Sequence, residues 1–297
     1  QHRVLMDGEF PHELKPVFRA YEVQGNPWGL PSDTRGDWAA GLDVPVVSDA
    51  AGLAGADYLF YVGSAQSFDP RAQKVARAFV SILRAAGVRF AILGAREPST
   101  GESVRRLGNE MLFAELADKL VATFAEFGVR RVVTCDPHAY NALRNEYAER
   151  GADWDVVHHT QLIAQLLAEG RVTLRPGAAR VAFHDPCYLG RHNGEYDAPR
   201  AVLTRVTREP LVEFPLNGRK SMCCGAGGGR MWMEETLGTR VNRLRCEQAR
   251  EVAPDVVATA CPYCSLMLDD GFKSLGVEDG IAVRDVAELV AESLADR

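Results

Sequence analysis

The chain has 297 residues, of which 46% are apolar, 25% charged and 8% aromatic, ordinary globular usage that excludes a disordered, fibrous or collagen-like polypeptide. Lys plus Arg total 34 against 40 Asp plus Glu, and the net charge of −6 leaves no basic footprint for nucleic acid. The length suits two domains or one doubled unit, and the apolar runs, such as Val44 to Val47, are strand-sized, far short of the ~20 residues that span a bilayer.

Residues 1–50 are punctuated by Pro and Gly, including Gly25-Asn26-Pro27-Trp28-Gly29, and read as an extended leader with one short helix near His12 to Val23. The start, Gln1-His2-Arg3, shows no apolar signal core and is expected to be the edge of a longer chain. Then β-type runs alternate with helical patterns: Tyr58 to Val62, a helix near Ala72 to Ala86, Phe90 to Leu93, a helix near Ser103 to Phe127, and Val132 to Thr134. The pattern recurs with Val181 to His184, a helix near Ala198 to Thr207, Leu211 to Phe214, a helix near Glu234 to Val252, Val256 to Thr259, and a last strand and helix at Ile281 to Ala295. This βαβ grammar predicts an α/β fold of two tandem pseudo-repeats, each a mostly parallel sheet covered by helices. The expected units are the leader 1–50, a first domain 51–175 and a second domain 176–297.

Superposing the halves places Ser64 on Cys187, Gly101 on Gly225, and Asp136-Pro137-His138-Ala139 on Cys261-Pro262-Tyr263-Cys264, a near-constant offset that argues for duplication. Of seven cysteines, five form a ligand set in the second half: Cys187, the adjacent pair Cys223-Cys224, and Cys261-x-x-Cys264. The matching first-half positions are Ser64, Ser99, Thr100, Asp136 and Ala139, none a thiol. Cys135 ends a strand with its side chain on the face opposite Asp136 and is not counted. Cys246 sits mid-helix as a packed thiol.

Each cysteine group follows a predicted strand, so in a parallel sheet the three loops open at one end, in the crevice where α/β sheets place ligands. A structural zinc site favours two chelating pairs, and only one C-x-x-C is present. Adjacent cysteines diverge too far for one small ion but can grip different irons of a polynuclear cluster, so five thiolates with a vicinal pair favour iron–sulfur. The loop Cys223-Cys224-Gly225-Ala226-Gly227-Gly228-Gly229 lets backbone approach the group closely. Arg230 stands where a G-x-G-x-x-G phosphate loop needs its third glycine. Pro262 rigidifies the chelating turn and is a candidate for a cis bond.

The spacing of Cys187, Cys223-Cys224-Gly225 and Cys261-Pro262-Tyr263-Cys264, in the contexts His184-Asp185-Pro186-Cys187-Tyr188-Leu189-Gly190-Arg191 and Met222-Cys223-Cys224-Gly225, closely resembles the cysteine-rich CCG domain, found in duplicate in heterodisulfide reductases and their relatives. Gly108-Asn109-Glu110 and Val157-His158-His159-Thr160-Gln161 extend the likeness, which covers about residues 55–297. Within that family the chain is most similar to bacterial heterodisulfide-reductase-related oxidoreductases, including the electron-transfer-flavoprotein:quinone reductase type. The resemblance implies one [4Fe–4S]-type cluster, cubane or non-cubane, held by Cys187, Cys223, Cys224, Cys261 and Cys264. It implies as partners a ferredoxin-like domain or subunit, a flavoprotein electron donor and a membrane quinone-reducing subunit, and a cytoplasmic setting, with membrane association through a partner or a preceding segment. The five first-half departures count against a two-cluster mechanism.

Other residues carry weaker signals. His184 could donate to a sulfur, whereas His158 and His159 suit capping or packing between the repeats. Asp136 and His138 occupy the vacated first-half site, which reads as structural. Arg191, Arg219, Lys220 and Arg230 could attract an acidic partner or simply line a solvated rim. Trp28, Trp38 and Trp232 are read as packing residues. The expected function is an iron–sulfur oxidoreductase passing electrons from a ferredoxin-like or flavoprotein partner to an acceptor such as a membrane quinone. The alternatives are a disulfide or small-substrate reductase acting at the cluster, and a metal-stabilised, non-catalytic scaffold or sensor.

Overall fold

The computed structural model describes residues 8–277 and 280–295; residues 1–7 of the expected leader lie outside the described residues. In the first repeat, β1 (Tyr58–Phe60) lies between β2 (Phe90–Ala91) and β3 (Arg131–Thr134), and β4 (Asp155–His158) closes a parallel sheet of order β2-β1-β3-β4. In the second, β5 (Val181–Phe183), β6 (Val256–Thr259) and β7 (Ala282–Asp285) are parallel in that order. A bridge from Ala182 to Val212 adds the counterpart of β2 beside β5. The two sheets therefore share one strand order, which bears out the doubled α/β architecture. The strands are short, apolar and buried on both faces, as parallel strands under crossover helices must be.

The repeats meet through helices. In the first, α1 (Leu14–Gln24) precedes the sheet; α2 (Gly63–Phe68), α3 (Pro70–Ala85), α4 (Glu102–Arg106), α5 (Glu110–Glu126), α6 (Pro137–Asn141) and α7 (His159–Ala168) follow its strands. In the second come α8 (Cys187–Gly190), α9 (Asp197–Val206), α10 (Val241–Val252), α11 (Pro262–Ser274) and α12 (Val286–Glu292). Asp69 caps α3 by accepting from Arg71 N and Ala72 N, and Pro70 supplies a first position that needs no donor. The α3 stripe of Val75, Phe79, Val80 and Leu83 is fully buried. It packs on α12, while α7 packs on α9. Because α3 and α9 follow equivalent strands, as do α7 and α12, these two contacts are one pairing repeated about a local two-fold. The helices share a single core, joined by Leu162, Ile163, Val202, Leu203, Val286 and Val290.

Polar contacts cross the same boundary. His159 Nε2 lies 3.0 Å from Asp285 Oδ1, both side chains fully buried. Arg71 donates to both carboxylate oxygens of Glu288 at 2.9 and 2.7 Å. His158 donates its backbone N–H to Gln161 Oε1 at 3.0 Å at the start of α7. The capping and packing roles expected of His158 and His159 are thus what the geometry gives.

Several sequence expectations shift. The helix expected over Ser103 to Phe127 is two helices, broken where Gly108 adopts φ 92° and Asn109 caps α5 through Leu112 N at 3.1 Å. The helix expected from Glu234 begins at Val241, since Gly238 takes φ 69° and Glu235 caps the later start by accepting from Val241 N at 3.2 Å. Leu211 to Phe214 contributes one bridge rather than a strand. Strand β4 and helix α11 were not anticipated. The leader's α1 covers the first sheet with Leu14, Val17, Phe18 and Tyr21, and Val46 bridges Ile92 at the sheet edge. Among the described residues no helix is long and apolar enough to cross a membrane.

Replacing His159 with Leu removes the side-chain partner of the buried Asp285 carboxylate at the two-fold and leaves it only backbone N–H groups at the start of α12, that of Ala287 among them. We expect a loss of about 1–3 kcal/mol, read as a lower midpoint in denaturant unfolding, with α7 and α12 losing amide protection together.

Candidate metal centre

The three cysteine segments leave the carboxyl edge of the second sheet together. Cys187 opens α8 just after β5. Cys261 follows β6 in extended conformation (φ −158°, ψ 125°) as the residue before α11, and Cys264 stands one turn into that helix. Cys223 and Cys224 enter from the long connection before α10, where Gly225 at φ 102° reverses the chain and donates its N–H to Cys223 Sγ at 3.3 Å. A side chain at Gly225 would meet Asn242 N and Met267 at 3.1 Å, so the close turn requires glycine there. Pro262 occupies the first helical position and every peptide bond described is trans, which corrects the cis expectation: the helix start uses the ring's fixed φ without needing a cis bond.

All seven cysteines are free thiols, with Cys224, Cys261 and Cys264 buried and Cys187 and Cys223 half-buried. Cys224, Cys261 and Cys264 pack in one cluster with Cys223 against it, and Ala65 and Ala72 of the first repeat complete its wall. The sulfurs of Cys224 and Cys264 and a ring nitrogen of His184 lie within 4.8 Å of one another. Hydrogen bonds from Cys223, Cys264 and His184 drive Cys224 well below an ordinary thiol. At Cys261, donation from Cys264 and His138 outweighs burial and lowers it. Burial raises Cys187, whose thiol faces the field of Cys224 and Cys261. The structure thus brings the five sequence-selected sulfurs to one rim and leaves the other two elsewhere. Cys135 is in the core between the sheets, and Cys246 is packed under α11, bonded to Leu268 O.

A buried cation faces this rim. Arg245 of α10 is 0% exposed. It donates to His184 Nδ1 at 3.0 Å, Leu216 O at 3.0 Å and Gln248 Oε1 at 2.8 Å, none of them a carboxylate, and lies over the Phe214 ring at 3.9 Å. Burial lowers it to about 10, so it keeps its charge at neutral pH. A guanidinium is buried only against compensating negative charge. Here Asp185 lies in its field together with the sulfurs of Cys224 and Cys264, which carry negative charge once a metal deprotonates them, so an anionic, thiolate-bound metal group fits the site. The sequence carried a signal that was missed: Asn242, Arg245, Cys246 and Ala249 form the buried stripe of α10, and an arginine within such a stripe is anomalous.

The matching site in the first repeat is filled by the leader. Arg35 donates to Ser64 Oγ at 3.2 Å and pairs with Glu97 at 3.0 Å, their side chains 3% and 2% exposed. Glu97 also accepts from Val62 N and Gly63 N at 2.8 and 2.9 Å. Buried Tyr21 of α1 turns its hydroxyl toward Ser103 and Ser99, which offset part of the upward push of burial on it. Asp136, raised to about 6 by burial, caps α6 by accepting from His138 N at 2.8 Å.

His138, in contrast, turns toward the second repeat. Its ring stacks on Tyr188 at 4.0 Å, meets Tyr263 edge-on at 4.9 Å, and pairs through Nδ1 with Glu102 at 3.3 Å. Glu102 and Cys261 raise His138 against the effect of burial. Although burial opposes it, His138, Arg106 and Tyr188 hold Glu102 down at about 2. These groups line a narrow cleft between the repeats, whose other walls include Gly227, Gly228, Gly229 and Trp232. A side chain at Gly229 would strike Leu107 at 2.1 Å, so the glycine run lets this loop pack closely on the first repeat. Trp28 packs edge-on to Trp232 at 5.2 Å and stacks on Tyr263 at 6.5 Å, while Trp38 is buried against Phe60. Arg219, Lys220 and Arg230 are exposed on the rim; Arg191, also exposed, donates to Ser221 O, and Arg230 lies 3.7 Å from Glu235.

Two outcomes follow. Glu102 titrates near 4.5 when unfolded and at about 2 when folded, so its contribution is complete above the former and is lost as pH falls through the latter. Glu102→Gln is expected to flatten the acid limb of an unfolding-midpoint profile between those two values. Arg35→Leu leaves the Glu97 charge buried without its cation and is expected to cost about 3–5 kcal/mol in denaturant unfolding, with Glu97→Gln in the same chain, whose amide oxygen still accepts from the backbone, restoring part of it.

Comparison with known proteins gives the same picture. The family described as "Cysteine-rich domain" (CCG) matches residues 58–144 and 181–269. The "Probable iron-sulfur-binding oxidoreductase FadF" of Bacillus subtilis is 44% identical over 299 residues, 99% of this chain and 42% of its own length. The "EtfAB:quinone oxidoreductase" of Syntrophomonas wolfei is 38% identical over 304 residues, 98% of this chain and 42% of its own. A subunit of the dihydromethanophenazine:CoB--CoM heterodisulfide reductase of Methanosarcina barkeri is 30% identical over 246 residues, 80% and 59% respectively. The chain thus spans less than half the length of the first two relatives. With two matched copies, a shared strand order in both halves and the cysteine spacing of the second, the chain belongs to the CCG cysteine-rich domain family.

Proposed function

We propose that this chain is an iron–sulfur oxidoreductase module in which Cys187, Cys223, Cys224, Cys261 and Cys264 hold one [4Fe–4S]-type cluster, cubane or non-cubane. When bound, the cluster would supply a one-electron couple near the protein surface. The observation that carries the reading is the convergence of five free thiols on one rim beside a buried arginine with no carboxylate hydrogen-bond partner. A thiolate-rich anionic group adds to Asp185 in compensating that charge, and the number of sulfurs, with an adjacent pair among them, favours a polynuclear cluster over a single ion. Half-buried Cys187 and Cys223 lie at the outer side of the set, where a redox partner can come close.

Electrons pass, in this proposal, from a ferredoxin-like or flavoprotein partner to an acceptor such as a membrane quinone. The names of the relatives, an EtfAB:quinone oxidoreductase and, in Chromohalobacter salexigens, a "Probable membrane-anchored ferredoxin", support partners of that kind. The module would work on the cytoplasmic side, with any membrane association supplied by a partner or by segments outside this sequence. Residues 51–175 would act as the supporting domain and 176–297 as the ligand-bearing one, with 1–50 filling the first domain's emptied site.

The cleft favours a second reading, reduction of a disulfide or other small substrate next to the cysteines. Its walls carry the Glu102–His138 pair, and His138 donates toward Cys261, so a proton source stands beside that sulfur.

Protein purified without oxygen is expected to contain about four irons and four sulfides per chain, to titrate reversibly in potentiometry, and to lose or alter its electron paramagnetic signal on Cys224→Ser. Stoichiometric zinc without labile sulfide overturns the proposal. A centre that holds iron but shows no reversible couple returns the chain to the scaffold class. Turnover of disulfides with reduced viologen, abolished by Cys224→Ser, would establish the second reading.

A further inference from the structure

His184 follows β5 and is fixed by its backbone N–H, which donates to Ala258 O at 2.8 Å. Its ring has two nitrogens and two kinds of neighbour. On one side the Arg245 Nε–H donates to Nδ1 at 3.0 Å. A guanidinium has donors only and cannot accept, so Nδ1 must present its lone pair and carries no proton. The imidazole's own proton therefore sits on Nε2. On the other side are the sulfurs of Cys224 and Cys264, the three ligand atoms lying within 4.8 Å of one another, all buried.

Arg245 is itself held rigidly. Its Nη1 donates to Leu216 O and Gln248 Oε1, its Nη2 donates to Ser221 Oγ at 3.5 Å, and Phe214 closes one face of the guanidinium. The donor that fixes the imidazole is thus part of the packed interior of α10 and cannot swing away without unburying a charge.

We propose that Arg245 is a positioning residue that locks His184 in the tautomer protonated at Nε2, so that the imidazole donates a hydrogen bond to Cys224 Sγ and biases the couple of the group this sulfur holds toward its reduced form. The inference rests on the cluster assignment above. Its physics is general: reduction adds negative charge to the ligating sulfurs, and a fixed N–H aimed at one of them stabilises the reduced state more than the oxidised one. A ring free to flip to the other tautomer would instead point a lone pair at the thiolate and lose that effect.

Two measurements test it. First, nitrogen-15 NMR of histidine-labelled protein with its thiols reduced reads the tautomer directly. His184 is expected to show a protonated Nε2 and a bare Nδ1, and Arg245→Met to convert it to a mixture. A protonated Nδ1 in the unaltered protein overturns the proposal whatever the cluster does. Second, His184→Leu is expected to shift the reduction equilibrium about tenfold toward the oxidised form, about 59 mV for one electron. His184→Gln, whose amide can donate, recovers part of the shift. A His184→Leu protein with full iron content and an unshifted midpoint also overturns it. Should His184→Leu fold poorly or fail to retain iron, the tautomer measurement decides. Absence of iron and sulfide from the unaltered protein instead defeats the cluster assignment and leaves the tautomer result readable.

Discussion

Everything in the second repeat depends on one property of parallel strands: their carboxyl ends lie on the same edge of the sheet. Segments separated by dozens of residues, at Cys187, Cys223-Cys224 and Cys261-x-x-Cys264, leave that edge side by side and need only short turns to converge. The local devices differ. A helix start presents Cys187, an extended residue followed by a helical turn presents Cys261 and Cys264, and a left-handed glycine presents the adjacent pair. None of these would gather thiols without the sheet beneath them. The α10 helix then brings Arg245 to the back of the group, where its charge has no counterpart except the sulfurs and Asp185.

The first repeat shows what the same scaffold does without thiols. Its strand ends still converge, but the space is occupied by the leader: the Arg35–Glu97 pair and the Tyr21 hydroxyl stand where ligands would be. The pair is hydrogen-bonded to backbone N–H groups of Val62 and Gly63, as a buried carboxylate must be. His138, between the vacated positions Asp136 and Ala139, serves a different use. It leaves its own repeat's site and pairs with Glu102 above Tyr188 and Cys261. One repeat thereby furnishes a wall of the other's cleft.

What could be read from the sequence follows from where the information sits. The duplication, the parallel sheets and the convergence of five cysteines are carried by spacing and by alternation of apolar runs, and both survive in a single chain. The break at Gly108-Asn109 is also written locally, as a glycine followed by a capping residue, but it is masked inside a long amphipathic pattern. Strand β4 is hidden because Asp155 and His158 leave only Val156 and Val157 as its apolar run. The roles of Arg35, Glu97, Glu102 and Arg245 are of another kind. Each is a charged residue whose burial is decided by a partner far away in sequence, as Arg35 is by Glu97, and no periodicity within its own segment reports that. Only the position of Arg245 in an otherwise buried helical stripe offered a hint.

The two-fold exchange of helices, α3 against α12 and α7 against α9, has a historical meaning. Identical one-repeat chains meeting through equivalent surfaces would make the same contact as a symmetric pair. Joining two copies into one polypeptide preserves that ancestral handshake while releasing each partner from identity. The seam then holds whether or not both halves carry the same residues at their strand ends, which is why five thiols in one half and none at the matching positions of the other coexist in one fold.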